Sequence, residues 1–524
     1  MMNEKRNVTR AAGIIGLATL LSRVLGFARD MIIAWFFGAG RLSDAFFVAF
    51  RIPNLLRRLF AEGTLSMAFV PVFTQYLSRS GRSEAFALAR SAMRMLSVIL
   101  VIVTLAGIAG APWIVKLLFP SDTSQSTYEL GVKIYRGMSP AILGGMLSGL
   151  FVGAANTFHC YGHTTLRSVA YNGMIIGSLI FLHRSLGILA LGVGILLAEY
   201  SQLIFVFPPI WKRGYRFQTH FRSPETSHPF RIILLAYIPA VLLTGMNQVN
   251  YLVDRVLALP LGDGCVSSLN YAWKLTLLPA SLISVAFATP LLTFLSRHEV
   301  RKERSQAASL LHRTTGMLIF FAVPVTFLML ITRTEIVRLF YGWGRFGYKG
   351  VYLTSFSLLF YSPGLPFQIL LPLLVSGFLS IKRPWLPVKA SLPMIPLNII
   401  LDVVLMKYFS FAGIAFSTSL IFFLNVIILY LLLNERLPSE DHLKLGARHI
   451  GFALVVIAFF ITIGILYHLG ENRSVDTRFD IIAELVSFGL LTLGGYLVIA
   501  HSFGLKTVEK LGHFIGWMHK KKEE

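Results

Sequence analysis

Seven basic side chains lie in segments of this sequence that are otherwise strongly apolar. They are Arg23, Arg29, Arg51, Arg57, Arg58, Arg255 and Lys274. A charge at the centre of a membrane costs roughly 2.5 to 3.5 kcal/mol on insertion scales, so each cation needs a partner or a function that offsets this cost. The acids close to them in the sequence are Asp30, Asp44, Glu62 and Asp254. Because the cations outnumber these acids, and most of them fall in the first two apolar segments, the set predicts a binding site for an anion.

The chemistry of arginine narrows the kind of anion. Its planar guanidinium presents a fixed fork of donors that meets two phosphate oxygens at once, and it keeps its charge in a low dielectric. Arg23 and Arg29 are six residues apart, which places them about 120° apart around a straight helix. Gly26 between them allows a bend or a close approach that could turn both towards one cavity. We therefore predict a water-accessible, positively charged cavity for a phosphorylated headgroup.

A purely structural role is the alternative for each cation taken alone. A basic side chain near a helix end can extend to the lipid headgroups, and one beside an acid can form a local ion pair. Arg58, at a predicted helix end, and Arg255, next to Asp254, fit this alternative best. We assign these two to structure and treat Arg51 as a residue that lines the cavity.

The elements that position these charges are predicted to be membrane-spanning helices. Of the 524 residues, 55% are hydrophobic and only 14% are charged, and the mean hydropathy is +0.68. Soluble proteins carry about 25% charged residues, whereas runs of about 20 apolar residues, enough to cross a bilayer, recur along this whole chain. We predict an all-α membrane protein with about fourteen transmembrane helices. The predicted spans are 11–36, 45–75, 96–118, 137–157, 164–182, 186–210, 230–257, 266–295, 315–332, 351–380, 384–406, 408–433, 450–468 and 481–502.

Membrane topology accounts for the formal net charge of +23. Lys and Arg crowd the cytoplasmic loops of membrane proteins. An assignment with both termini in the cytoplasm puts the most basic stretches there, around 212–231, 297–313 and 520–522. We therefore expect a multi-pass membrane protein, with no nucleic-acid partner. The first apolar segment lacks a small-residue cleavage site, so we expect it to be retained as a span.

Two halves of the chain repeat each other at an almost constant offset. Asp30, Ala34, Gly38 and Gly40 recur as Asp254, Ala258, Gly262 and Gly264, and Ser139 and Pro140 recur as Ser362 and Pro363, at offsets of 224 and 223 residues. Copies with an even number of spans enter the membrane in the same direction, as parallel repeats with substrate between them. We predict a six-helix lobe over 1–222, a second over 223–440, and two extra helices with a basic tail over 441–524. Lys274 lies 223 residues after Arg51 and offers a cation from the corresponding place.

Three strings of residues resemble one family. They are SRVLGFARD at 22–30, SDAFFVAFRIPNLLRRLFAEG at 43–63 and AFVPVF at 68–73. They resemble the N-terminal signature of the MurJ (MviN) lipid II flippases, in the multidrug/oligosaccharidyl-lipid/polysaccharide exporter superfamily. The resemblance extends over essentially the whole chain. It implies two lobes around a V-shaped cavity that opens alternately to the two sides of the membrane.

The resemblance also implies the substrate and the residues that bind it. The cargo would be lipid II, an undecaprenyl diphosphate that carries a disaccharide-pentapeptide for peptidoglycan synthesis, and the protein would not be an enzyme. The family's cavity arginines correspond to Arg23, Arg29 and Arg57. Its cation in the eighth span, usually an arginine, is Lys274 here, which keeps the charge but loses the bidentate fork.

Two acids are predicted to gate the cavity. Asp44 corresponds to an acid of the family's second span, which we expect to form a gating pair with an arginine and not to contact substrate. Glu62 is a second candidate for gating. Beyond lipid II, the expected partners are membrane lipids and the cell-wall synthesis machinery.

Sodium is the one cofactor that the sequence suggests. Asp402 lies one helical turn after Asn398 in the eleventh predicted span, so both side chains share a face. With Asp254 and Thr418 they could form an oxygen-rich site for a hard cation, and similar positions bind sodium in some MurJ relatives. The alternative pairs Asp254 with Arg255 and leaves Asp402 hydrogen-bonded to Asn398. The sequence leaves both open.

Other functions stay open as alternatives. A flippase for another undecaprenyl-diphosphate-linked oligosaccharide would share the basic cavity, whereas a drug antiporter of the same fold would centre on acids. A non-transporting membrane scaffold of this fold would have no reason to keep the embedded arginines. An enzyme acting on the lipid diphosphate would need clustered acid–base groups or metal ligands. The sequence shows neither such a cluster of catalytic groups nor a nucleotide-binding P-loop. An ion gradient or the membrane potential would therefore drive transport.

Overall fold

The fold is entirely helical in the part of the chain that the structure, a computed structural model, describes. The described residues are 2–60, 64–121, 123–158, 160–216, 245, 248–300, 304–381, 383, 385–436, 447–469 and 477–503. A helix suits a bilayer because it satisfies its backbone N–H and C=O groups within its own segment. Two compact units are present, Met1–Ser267 with Trp343–Gly347, and Ser268–Gly342 with Tyr348–Glu524. The predicted lobe boundaries at 222/223 and 440/441 lie outside the described residues.

The first unit is built around an aromatic core. Its helices are α1 (Met2–Phe37), α2 (Arg41–Ala49), α3 (Arg51–Phe60), α4 (Thr64–Arg79), α5 (Gly81–Leu118), α6 (Gln125–Met138), α7 (Ala141–Thr157), α8 (Tyr161–Leu186) and α9 (Leu189–Lys212). Residues 248–258 are also helical. The core contains Phe69, Phe73, Phe86, Phe151 and Tyr215. Because α8 packs along both α1 and α9, and α3 packs on α7, polar side chains from distant parts of the sequence can meet inside this unit.

The second unit carries the last two helices of the chain. Its helices are α10 (Cys265–Val300), which begins in the first unit, α11 (Arg304–Ile331), α12 (Arg333–Tyr341), α13 (Gly347–Tyr361), α14 (Leu365–Ser380), α15 (Trp385–Ser391), α16 (Met394–Phe409), α17 (Phe411–Arg436), α18 (Ala447–Leu469) and α19 (Arg478–Ser502). The helices α18 and α19 pack on α11 through a cluster that includes Phe320, Phe460 and Tyr496. The Tyr496 hydroxyl donates to the Phe320 carbonyl at 3.1 Å.

Nine helical segments among the described residues are long and apolar enough to cross a membrane. They are Gly81–Leu118, Gln125–Thr157, Gly162–Leu186, Leu189–Lys212, Ser305–Ile331, Gly344–Ser380, Trp385–Phe409, Phe411–Arg436 and Arg478–Ser502. Large apolar side chains are exposed along them, such as Ile102, Leu105 and Trp113 of α5. Such a surface is unusual for a soluble monomer and suits lipid chains. The predicted all-α membrane fold is confirmed.

The same dipeptide interrupts a span in each half of the sequence. Ser139 lies between α6 and α7, and its hydroxyl donates to the carbonyl four residues earlier at 2.7 Å. Ser362 follows α13, and its hydroxyl donates in the same way at 2.6 Å. Pro140 and Pro363 follow them, and neither proline can donate a backbone hydrogen bond. The two repeated serines therefore make the same local hydrogen bond.

Candidate anion-binding site

Arg29 is fixed by polar groups on α1 and α8. Its Nη2 and Nε atoms lie 2.9 Å and 3.2 Å from Oδ1 of Asp30, and its Nη1 donates to Oδ1 of Asn172 at 3.1 Å. The amide of Asn172 donates in turn to the backbone carbonyls of Ser22 and Ser168, at 3.2 Å and 3.0 Å. The helix α1 is continuous past Gly26, and contact with α8 helps to orient this guanidinium.

Arg57 lies in α3 and is more deeply buried, with 9% of its surface exposed. Its Nε and Nη2 donate to Oδ1 of Asn54, one helical turn earlier, at 3.2 Å and 3.0 Å. Its Nη1 lies 3.3 Å from Oε1 of Glu199 in α9. The guanidinium carbon also lies 5.7 Å from the centre of the Tyr171 ring, within the range of a cation–π interaction. Arg57 therefore joins α3 to both α8 and α9.

Glu199 belongs to a chain of hydrogen bonds that leads to a third arginine. Its side chain is completely buried, and its Oε2 accepts from Nε2 of Gln202 at 2.8 Å. Oε1 of Gln202 accepts from Nη1 of Arg167 in α8 at 2.8 Å. The hydroxyl of Ser148 in α7 lies 3.3 Å from the same Arg167 nitrogen. Four helices thus contribute to one buried polar network.

This network surrounds a small cavity within the first unit. The cavity has a volume of about 100 Å³. Its lining residues are Arg57, Arg167, Ser168, Tyr171, Asn172, Glu199 and Gln202. Asn172, which accepts a hydrogen bond from Arg29, lines the same cavity as Arg57 and Arg167. An arginine donor fork of this kind can bind phosphate oxygens, provided that the phosphate competes with the resident acids.

The other two arginines predicted for the site have different surroundings. Arg23 is partly exposed on α1. The Arg51 guanidinium lies 5.9 Å from the centre of the Tyr251 ring, and the charges that act on it include those of Asp254 and Arg255. Arg51 is thus associated with residues 251–255, whereas Arg29 and Arg57 are linked to the network of α8 and α9.

Asp44 contacts backbone amides. Its two carboxylate oxygens accept from the N–H groups of Gly264, at 2.6 Å, and Ser267, at 2.7 Å, at the start of α10. A carboxylate in this position caps unsatisfied N–H groups and matches the positive end of the helix dipole. The ion pair beside it joins Arg41 to Asp263 at 3.2 Å. The gating role of Asp44 stays a prediction, and Glu62 lies outside the described residues.

The remaining predicted residues belong mostly to the second unit. Lys274 is partly exposed on α10. Asp402 is completely buried, and its Oδ2 accepts from Nδ2 of Asn398 at 2.7 Å. The Thr418 hydroxyl donates to the Ile414 carbonyl at 3.0 Å. The Asn398–Asp402 hydrogen bond that the sequence suggested is present. Asp254, the fourth predicted sodium ligand, is a buried residue of the first unit.

The sequence-based prediction of the site did not include three members of the buried polar network, Arg167, Glu199 and Gln202. Arg167 lies in the predicted span 164–182, and the other two lie in the span 186–210. An ionisable residue inside a span is a functional candidate by default, and the spacing of three residues puts Glu199 and Gln202 on one helix face.

Comparisons with known proteins give the chain a clear set of relatives. The profile of a family described as "Lipid II flippase MurJ" matches residues 33–476. A lipid II flippase MurJ from Burkholderia cenocepacia is 30% identical over 86% of this chain and 89% of its own length. A probable lipid II flippase MurJ from Vibrio cholerae is also 30% identical, over 81% of this chain and 82% of its own.

Solved structures extend the likeness to three dimensions. A lipid II flippase MurJ in an inward closed conformation has a TM-score of 0.77 and 26% sequence identity. The match covers 93% of this chain and 98% of the MurJ chain. An inward-facing multidrug resistance transporter of the MATE family has a TM-score of 0.67, and covers 81% of this chain and 98% of its own. Its identity is only 13%, so it shares the fold alone.

Proposed function

The chain belongs to the MurJ family of lipid II flippases, and from this premise we propose that it carries lipid II from the cytoplasmic to the outer leaflet of the bacterial inner membrane. The cargo is the undecaprenyl-diphosphate-linked precursor of peptidoglycan. The protein would be a multi-pass transporter with both termini in the cytoplasm, and it would make and break no bond. Cell-wall synthesis proteins are its natural neighbours in this role, because they use the same precursor.

The observation that carries this proposal is the convergence of Arg29 and Arg57 on one polar cavity. Arg29 contacts Asn172 and Arg57 contacts Tyr171, two consecutive residues of α8, and both residues line the 100 Å³ cavity beside Arg57. A lipid diphosphate carries the charge and the oxygen atoms that such donors bind best. Arg29 and Arg57 would therefore hold the diphosphate while the hydrocarbon chain stays in the bilayer. Arg23, Arg51 and Lys274 are proposed as further cations along the substrate's path.

Sodium is proposed as the coupling ion. Asp402, Asn398 and Thr418 present oxygen atoms on the adjacent helices α16 and α17, and hard cations prefer oxygen ligands. A buried carboxylate in a span is expensive unless it binds a partner. The hydrogen bond from Asn398 offsets part of this cost in the absence of sodium. Asp254 stays a predicted fourth ligand.

Complementation in a bacterium tests the proposed function. The native flippase would be depleted, this chain expressed from a plasmid, and both growth and the exposure of lipid II on the outer leaflet measured. We expect the wild type to restore both, and Arg29→Ala and Arg57→Ala to fail at comparable expression. Failure of the well-expressed wild type would refute the function. Full rescue by both arginine variants would refute the site and leave the function standing.

A further inference from the structure

Glu199 forms an ion pair with Nη1 of Arg57, a guanidinium group that the proposed function assigns to substrate. The carboxylate is completely buried and lies 3.3 Å from Nη1 of Arg57. An ion this deep in a membrane protein is costly unless it is compensated. The distance is nevertheless longer than the roughly 2.7–2.9 Å of a strong charge-assisted hydrogen bond. The pair therefore neutralises charge without holding Arg57 in the tightest geometry that a guanidinium and a carboxylate can adopt.

A second set of contacts holds Glu199 independently of Arg57. Its Oε2 accepts from Nε2 of Gln202 at 2.8 Å. The orientation of that amide is set by Arg167, which donates to its Oε1 at 2.8 Å. Arg167 thus acts on the carboxylate through one intervening side chain. If Arg57 turned to another anion, Glu199 would keep a hydrogen-bond donor and a nearby positive charge.

We propose that Glu199 is an internal counter-ion of Arg57 that the substrate's diphosphate displaces, and that this exchange selects diphosphate over monophosphate lipids. The proposal rests on the function proposed above. A monophosphate offers Arg57 little more negative charge than the carboxylate that it must displace, whereas a diphosphate offers more charge and more acceptor oxygens. Glu199 is a positioning and specificity residue in this scheme, because it acts through Arg57.

Binding measurements on the full-length protein in lipid nanodiscs test the exchange. The probes are undecaprenyl diphosphate and undecaprenyl monophosphate, titrated against wild type, Glu199→Gln and the control Glu129→Gln. Glu129 is an exposed acid of α6 whose side chain accepts from Gln125. We expect Glu199→Gln to bind the monophosphate roughly threefold to thirtyfold more tightly than wild type, with a smaller gain for the diphosphate. The control should match wild type.

A double-mutant cycle decides whether Glu199 acts through Arg57. In an Arg57→Gln background, Glu199→Gln should leave the affinities for both probes unchanged. If Glu199→Gln fails to fold, Glu199→Asp carries the same expectation with a smaller gain, because its shorter side chain retracts the carboxylate from Arg57. Unchanged or weaker monophosphate binding in the folded variant overturns the proposal, as does an effect that persists without Arg57.

The same experiment separates this proposal from the one on which it rests. If the wild type binds undecaprenyl diphosphate no better than Arg57→Gln does, the proposed diphosphate site fails. If that difference is present and Glu199→Gln leaves selectivity unaltered, only the counter-ion role fails.

Discussion

At the scale of single residues, the planar shape of the Arg57 guanidinium matters more for its contacts than its charge does. Its guanidinium donates to Asn54 and forms an ion pair with Glu199 while one face lies over Tyr171. Lysine would keep the charge but could not reproduce this planar set of contacts. We expect Arg57→Lys to transport lipid II roughly tenfold more slowly than wild type, in an assay of lipid II exposure at matched expression. The neighbouring Arg58→Lys, at a position assigned to structure, should transport normally, and equal rates for the two variants would contradict this distinction.

The same residues show what a sequence can predict about a site. Arg29 and Arg57 stand out because a charge in an apolar span is expensive wherever the span packs. Their partners Asn172 and Glu199 cannot be identified from the sequence in the same way, because they lie more than 140 residues away from these arginines in the chain. Which polar groups meet is decided by the packing of α8 against α1 and α9, and hydropathy does not encode that packing.

At the scale of elements, Asp44 stabilises the start of a long helix. It accepts from the amide of Gly264, just before α10, and from that of Ser267, in the first turn, where N–H groups have no partner within the helix. Replacing a helix-capping acid by alanine costs about 1–2 kcal/mol of stability. We expect Asp44→Ala to lower the thermal unfolding temperature of the purified protein and to reduce transport. The control Asp263→Asn loses only an exposed ion pair with Arg41 and should change stability by less than about 0.5 kcal/mol. An unchanged unfolding temperature for Asp44→Ala would show that the cap is dispensable.

Hydropathy predicted several long helices of this protein, but it did not predict their interruptions. Runs such as 96–118 and 408–433 appear as the continuous helices α5 and α17, because an apolar run of that length has few alternatives to a helix in a bilayer. The second predicted span, 45–75, is instead interrupted at Phe50, between α2 and α3. Local breaks depend on caps and on contacts made elsewhere in the fold, so periodicity alone does not locate them.

At the scale of the whole molecule, a flippase that makes and breaks no bond needs an external source of free energy. A ligand shifts a conformational equilibrium only by the difference in its affinity for the two states. A coupling ion must therefore bind one state better than the other. Asp402 is suited to this, because its buried carboxylate can either accept from Asn398, as it does here at 2.7 Å, or bind a cation that compensates its charge more fully.

This reasoning predicts that Asp402→Asn uncouples transport from sodium. The amide keeps the size of the side chain and a hydrogen bond with Asn398, but it removes the negative charge that a hard cation needs. In proteoliposomes with an imposed sodium gradient, we expect wild-type lipid II transport to follow the gradient and Asp402→Asn to be slow and independent of it. The control Asp480→Asn alters an exposed acid at the start of α19, and its gradient dependence should match wild type. If Asp402→Asn responded to the sodium gradient as wild type does, the negative charge of Asp402 would not be needed for coupling. Asp402 would then have no part in the coupling mechanism.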